Sequence, residues 1–197
     1  MDYKQKYLKY KQKYLFLKMI QNGGAKDAKI KLTQENTKIE QTLFENKDDN
    51  KITNNDIIDL FNKAYNTNIT EFIPHSDKGG EAIVWKILYD NKLAGFGVTT
   101  DLAQFEKYDN FEAKGGIRKA KGLYITSVAG DPNYSGVVSL LFEKINEYAI
   151  ENDYDYLLLE AKKYEDNYLV KLYEKQGFTP ITELTEEGET GTLMSKD

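Results

Sequence analysis

The chain has 197 residues, of which 40% are hydrophobic and 30% are charged, and its net charge is −5. This length suits one globular domain with an additional segment, and no apolar run is long enough to span a membrane, so we expect a soluble, cytoplasmic protein. The sequence has no cysteine and a single histidine, His75, which excludes disulfides, thiolate catalysis and histidine-rich or cysteine-based metal sites. We therefore expect no metal, and chemistry carried by oxygen, amine or backbone groups.

Residues 1–21 contain a basic seven-residue repeat, YKQKYLK followed by YKQKYLF. On a helix the tyrosines would form one stripe surrounded by lysines. Three interpretations are open: a short coiled coil, a basic helix on a membrane surface or nucleic acid, and a helical appendage packed on its own domain or on a sister subunit. Two heptads are few for a coiled coil, and we favour the appendage, which would allow a homodimer or another partner contact. Lysines interrupt any apolar core, so the segment is not a secretory signal.

Charge is unevenly distributed along the chain. Residues 1–21 hold six lysines and one aspartate, a net charge of +5, so the remainder must carry −10 to give −5 overall. An acidic body argues against nucleic-acid binding by the main domain and favours cationic amines.

The repeat in residues 1–21 also resembles the YLKYKxKYL openings of proteins from mimivirus-like giant viruses. This short resemblance implies a viral protein, which would act in the host cytoplasm or the virion.

The sequence that follows the repeat predicts a linker, then a helix and two strands. We assign residues 22–51 to a polar linker with at most one short strand or helix, and residues 52–197 to the main domain. The main domain begins near Ile52, and Thr53 can cap its first helix. The predicted buried face of this helix comprises Ile57, Ile58, Leu60, Phe61, Ala64 and Tyr65. The strands EAIVWKILYDN and KLAGFGVTTDL follow around a tight turn at Asp90-Asn91, with Trp85 in the core.

The second half alternates strands and helices. GLYITSVA predicts a strand, and a turn then leads to a helix after Gly136. DYDYLLLEA predicts a strand buried on both faces. A helix from Asn167 to Gln176 ends with Gly177 as its C-cap, and Phe178 begins further strands that include TLMSK. The amides that open the helix after Gly136 suit a phosphate, although the same turn is also explained as a connection from strand to helix that binds no ligand.

Two motifs resemble the GNAT superfamily of N-acetyltransferases. NYLVKLYEKQGF, from Asn167 to Phe178, matches the family pattern of an Asn, a helical turn and L-Y-E-K-x-G-F. The family's loop pattern, Q/R-x-x-G-x-G/A, aligns with Asn133, Gly136 and Val138, and only the first glycine is matched. The resemblance covers roughly residues 52–196. It implies an α/β fold with a central mixed sheet and helices on both faces, in which the strands at 123–129 and 156–160 are parallel neighbours joined by a right-handed crossover.

The same resemblance implies acetyl-CoA as co-substrate and a set of residues to bind it. The strand before the loop would splay from its neighbour, so that the pantetheine arm pairs with the exposed backbone of Val128 and Gly130. The pyrophosphate would lie at the loop and helix residues Asn133, Tyr134, Ser135, Gly136, Val137, Val138 and Ser139. Asn167 would hydrogen-bond the arm or simply cap the helix. Tyr173 would be the general acid that protonates the thiolate, or a buried aromatic.

The implied reaction is direct attack on the thioester, in a ternary complex, by a primary amine of a small molecule or a protein. Relatives often place the base on the central strand, where this chain has Tyr124, Thr126 and Ser127. Glu160 and Asp101 are the nearest carboxylates, each also explained as a solvated strand-end acid. A second interpretation is a GNAT-fold domain that has lost catalysis and serves as a structural or interaction module, including one associated with the virion. Val138 and the missing carboxylate favour this alternative; the YEKQGF segment favours the enzyme, which we prefer.

Overall fold

The computed structural model describes residues 29–44, 55–65, 67–71, 81–102, 121–162, 168–186 and 189–197. The predictions made for the N-terminal repeat, for the Thr53 cap, for His75 and for Asn167 concern residues outside these ranges. In the described part of the chain, no helix is long and apolar enough to cross a membrane.

Strands and helices follow one another much as the sequence predicts. In chain order the elements are β1 (Ile30–Lys31), a 3₁₀ helix (Gln34–Asn36), β2 (Lys38–Phe44), α1 (Asn55–Tyr65), β3 (Ala82–Tyr89), β4 (Lys92–Asp101), β5 (Gly122–Gly130), β6 (Tyr134–Ser135), α2 (Val137–Glu151), β7 (Tyr156–Lys162), α3 (Tyr168–Glu174), β8 (Thr179–Glu186) and β9 (Glu189–Lys196).

Seven strands form one mixed sheet in the order β2-β3-β4-β5-β7-β9-β8. β5 and β7 are parallel, with Leu123 opposite Leu157, whereas the other neighbours in this sheet are antiparallel. The prediction that these two strands are parallel neighbours, connected through a helix, is confirmed. β1 and β6 form a separate parallel pair.

Helices cover both faces of the sheet, as predicted. Leu141 and Ile145 of α2 are fully buried with Trp85 on one face, and Ile57 of α1 packs with Phe96 on the other. The period of two along β3 explains this arrangement, because Ile83, Trp85 and Ile87 face α2 while Ala82 and Val84 face α1. The Trp85 indole is buried as predicted, and its Nε1 donates to Thr99 Oγ1 at 2.9 Å.

Two predicted turns have the left-handed backbone that their residues favour. Asp90 and Asn91 have φ values of 51° and 58°, which fits the type I′ turn that joins twisted antiparallel strands. Gly177 has φ of 91° and follows α3, where the amide of Phe178 donates to the carbonyl of Tyr173 at 3.1 Å. The C-cap prediction at Gly177 is confirmed.

The N-terminal side of the sheet differs from the prediction. β2 lies within the predicted linker, yet it pairs with β3 from Lys38–Leu88 to Phe44–Ala82, so the sheet begins before residue 52. The polar composition of β2 is typical of a linker. An edge strand has such a composition because charged residues, here Lys38 and Glu40, discourage further pairing. Tyr65, predicted on the buried face of α1, is instead 38% exposed.

Candidate active site

β5 and β7 part halfway along β5. Their pairing ends at Ile125–Leu159, and the register of β4 against β5 shifts between Val98 and Thr99, which leaves Thr126 as an extra residue on β5. Such a bulge bends the strand that carries it. The last residues of β5 therefore stay paired with β4 while their other edge faces a gap, as the resemblance implies.

Backbone groups of Val128 face this gap. The amide of Asp131 donates to the carbonyl of Ala94 at 2.8 Å, so residues 127, 129 and 131 direct their backbone groups toward β4. Because successive residues alternate, the N–H and C=O of Val128 and Gly130 point the opposite way. The edge predicted to pair with a pantetheine arm is thus accessible from the gap.

Tyr65 of α1 reaches this edge. Its hydroxyl donates to the carbonyl oxygen of Val128 at 2.9 Å and accepts from the amide of Val128 at 3.1 Å. Its ring lies 4.5 Å from that of Phe61 in the same helix, which holds the side chain in this direction. The sequence gives no signal for this contact, because Tyr65 has the helical spacing of a core residue.

A cleft of about 380 Å³ lies beside this edge, between α1, the end of β5, the loop before α2, and α3. Most of the predicted site residues line it: Val128, Gly130, Tyr134, Gly136, Val137, Val138, Ser139 and Tyr173. Asn133 and Ser135 are not among its lining residues. The sequence thus indicated the wall of one cleft from two motifs far apart in the chain.

The N-terminus of α2 opens on the cleft. The first intrahelical bond is donated by Leu140 to Gly136 at 3.0 Å, and in the described part of the chain the amides of Val137, Val138 and Ser139 have no acceptor. Three amides and the positive end of the helix dipole suit an anion. Gly136 has φ of 88°, and a β-carbon there would stand 2.9 Å from the carbonyl oxygen of Leu32. This position therefore requires glycine.

Asn133 and Ser135 have local roles in the same loop. The amide of Asn133 donates to Oδ1 of Asp131 at 2.8 Å, which is an Asx turn, and the side chain of Asn133 is exposed. The carbonyl of Ser135 accepts from the amide of Leu32 at 2.9 Å. These contacts shape the turn that leads the chain into α2.

Tyr173 of α3 packs against core aromatics and also lines the cleft. Its half-buried ring meets Phe142 edge-on, with centroids 5.7 Å apart, and lies 6.3 Å from Phe178. These contacts fix the ring between helix and sheet, and the same residue lines the cleft.

The two candidate carboxylates lie at different places on the sheet. Asp101 pairs with Leu123 near the start of β5, seven residues or about 23 Å from Gly130, at the end away from the cleft. Glu160 follows the last β5–β7 pair, Ile125–Leu159, and therefore stands where the strands part, with its side chain against Gly191. Glu160 is therefore nearer to the gap along the chain than Asp101, although its carboxylate lies against β9 and it is not among the residues that line the cleft.

Three tyrosines form a separate group at the remote end. Burial raises the pKa of Tyr154 to about 12, and the negative charge of Asp101 adds to the shift. Burial likewise raises the pKa of Tyr148 and of Tyr156. The ammonium of Lys121 lies 4.2 Å from the centre of the Tyr154 ring. These tyrosines stabilise the fold rather than line the cleft.

Solved structures of acetyltransferases resemble this chain. An aminoglycoside acetyltransferase from an uncultured soil metagenomic sample, in complex with trehalose, matches with 20% identity and a TM-score of 0.54, over 78% of this chain and 95% of that one. Its complex with sisomicin matches with 19% identity and a TM-score of 0.54, over 77% and 94%. Nourseothricin acetyltransferase matches with 22% identity and a TM-score of 0.45 over 58% of this chain, which spans 64% of that enzyme. No curated protein sequence matches.

The structural matches are distant and show the fold alone. A family model assigns the chain to a family. The model of the acetyltransferase (GNAT) family matches residues 48–178, well over half of the sequence. This range includes α1, the end of β5, the N-terminus of α2 and Tyr173, which line the cleft. The chain belongs to the GNAT family of acetyltransferases.

Proposed function

We propose that the protein transfers an acetyl group from acetyl-CoA to a primary amine and that the cleft described above is the active site. The observation that carries the proposal is the meeting of two backbone features in one cleft: the edge of β5 at Val128, which does not pair with β7, and the open amides of Val137, Val138 and Ser139. An edge that can pair with an amide-containing arm, followed by an anion site, suits a chain that ends in phosphates.

The cleft offers acetyl-CoA a strand edge for its arm and helix amides for its phosphates. The amides that open α2 would hold the pyrophosphate, and Val128 and Gly130 would pair with the pantetheine arm. Bound there, acetyl-CoA supplies an activated thioester. The arm and the Tyr65 hydroxyl cannot both use the N–H and C=O of Val128, so Tyr65 must swing away when the arm binds.

The protein's own groups would position the reactants and move two protons. The Tyr173 hydroxyl is proposed to donate a proton to the departing thiolate. Glu160, at the point where the strands part, is the better placed of the two carboxylates to receive the proton of the attacking amine, directly or through water. The negative charge of the body favours a cationic amine before that proton leaves.

Binding and transfer test the proposal separately. Acetyl-CoA at about a hundred times its dissociation constant is expected to add about 2.7 kcal/mol to the free energy of unfolding, visible as a raised melting temperature. Release of free thiol in the presence of a mixed pool of amines would then report transfer.

A structural or interaction module remains the second candidate function. Val138 favours it, because this residue presents a branched side chain to the cleft where the family pattern has a glycine or alanine. An unchanged melting temperature at millimolar acetyl-CoA would support the module and reject the enzyme. Binding without thiol release from any amine would leave a cofactor-binding module.

A further inference from the structure

β1 brings a segment from outside the family match to the wall of the cleft. Ile30 pairs with Tyr134 and Lys31 with Ser135, in parallel. Leu32, which is 3% exposed, anchors this strand in the core, and its amide donates to the carbonyl of Ser135 at 2.9 Å. Lys29, the residue before β1, is thereby held beside the turn that precedes α2.

Lys29 lines the cleft, and the strand register places it opposite the loop that precedes α2. Continuing the parallel pairing back by one residue sets Lys29 opposite Asn133, with the two strands about 4.8 Å apart. Asn133 is the loop position with a short neutral side chain that is exposed and does not line the cleft. A cation therefore enters the cleft from the neighbouring strand.

The positive charge of Lys29 is available to a ligand in the cleft. Among the described residues that line it, the charged ones are Lys29, Lys63 and Asp131. Nζ of Lys63 lies 3.3 Å from Oδ2 of Asp131, so these two charges offset each other. Residues 131–139 contain no lysine or arginine. Lys29 has no carboxylate of the described residues within 4.0 Å, the limit for an ion pair, and it is exposed.

We propose that Lys29 binds the pyrophosphate of acetyl-CoA together with the amides that open α2. This inference rests on the proposed function and adds to it a binding residue from outside the family match at residues 48–178. The physical reason is charge: a pyrophosphate carries two negative charges, which backbone amides can hydrogen-bond but not neutralise. A lysine ammonium acts there as a point charge on a flexible stem.

Substitution of Lys29 in the full chain tests the inference. Lys29→Gln is expected to weaken acetyl-CoA binding about two- to fivefold, as measured by calorimetry at low salt, because an exposed ion pair is lost. Lys29→Arg, which keeps the charge, is expected to bind as the wild type does. Lys31→Gln is the matched control: it makes the same change of charge in the same strand, two residues on, at an exposed side chain that does not line the cleft.

Truncated ligands identify the group that Lys29 binds. The loss in Lys29→Gln is expected to persist with 3′-dephospho-acetyl-CoA, which retains the pyrophosphate, and to vanish with S-acetyl-pantetheine, which has no phosphate. An equal loss in Lys29→Gln and Lys31→Gln, no loss in Lys29→Gln, or a loss that persists with S-acetyl-pantetheine would overturn the inference. A loss confined to the ligand with a 3′-phosphate would overturn the assignment to the pyrophosphate. Wild-type protein that binds no acetyl-CoA would reject the proposed function as well.

Discussion

Tyr173 is the residue at which packing and chemistry can be separated. Tyr173→Phe keeps the ring that meets Phe142 edge-on and removes only the hydroxyl. If the hydroxyl protonates the thiolate, turnover is expected to fall about 10²–10⁴-fold while acetyl-CoA affinity stays nearly constant. Initial rates and calorimetric affinities check this. Unchanged turnover, with about 1 kcal/mol lost from the free energy of unfolding, would make Tyr173 a packing residue only.

Removal of the Tyr65 hydroxyl is expected to strengthen acetyl-CoA binding. Its hydroxyl and a bound ligand arm compete for the N–H and C=O of Val128, so Tyr65→Phe is expected to tighten acetyl-CoA binding by about two- to tenfold. The phenyl ring would keep its contact with Phe61. Isothermal titration of both proteins measures the change. Weaker binding in Tyr65→Phe would mean that the hydroxyl contacts a ligand instead of competing with it.

At the scale of elements, the junction of β1, the loop and α2 depends on one glycine. Gly136→Ala is expected to lower the free energy of unfolding by about 1–3 kcal/mol, because φ is 88° and the new β-carbon would stand 2.9 Å from the Leu32 carbonyl oxygen. Urea denaturation measures the loss. Gly97→Ala is the control, since the nearest atoms to a β-carbon there are flexible side-chain ends at 3.6 Å. Equal losses in the two variants would contradict the assignment of a strained backbone to Gly136.

Elements that depend on local pattern were predictable, and contacts between distant segments were not. Alternating apolar residues and the Asp90-Asn91 turn defined β3 and β4, and the run YLLLEA in β7 indicated a strand buried on both faces. The segment of β2 was assigned to the linker, with at most one short strand or helix, because an edge strand needs few apolar residues and so does not stand out as part of a sheet. The bond from Tyr65 to Val128 joins residues 63 apart in sequence, which no periodicity encodes. The cleft was predicted in part, since its amides follow a motif but the approach of α1 does not.

At the scale of the whole molecule, stability is expected to fall at high pH. Burial raises the pKa of Tyr154 to about 12, from an ordinary value of 10.0, so the folded protein keeps this phenol neutral where the unfolded chain ionises it. Between about pH 10 and 12 the unfolded state binds fewer protons, and the free energy of unfolding therefore decreases as the pH rises. Denaturation curves across this range measure the slope, which is expected to be shallower in Tyr154→Phe. An identical slope in that variant would assign the loss to other groups.

The extent of the sheet has a practical consequence for anyone who expresses a piece of the protein. A fragment cut at the limits of the family match, 48–178, would omit β2 on one side and β8 and β9 on the other. β3 and the apolar β7 would then become open edges, each offering unpaired amides and carbonyls to a second copy of the fragment. Such a fragment would be expected to aggregate although it contains both family motifs. A chain from Lys29 to the end of β9 keeps β3 paired with β2 and β7 paired with β9, as the structure has them, and also keeps Lys29 beside the cleft.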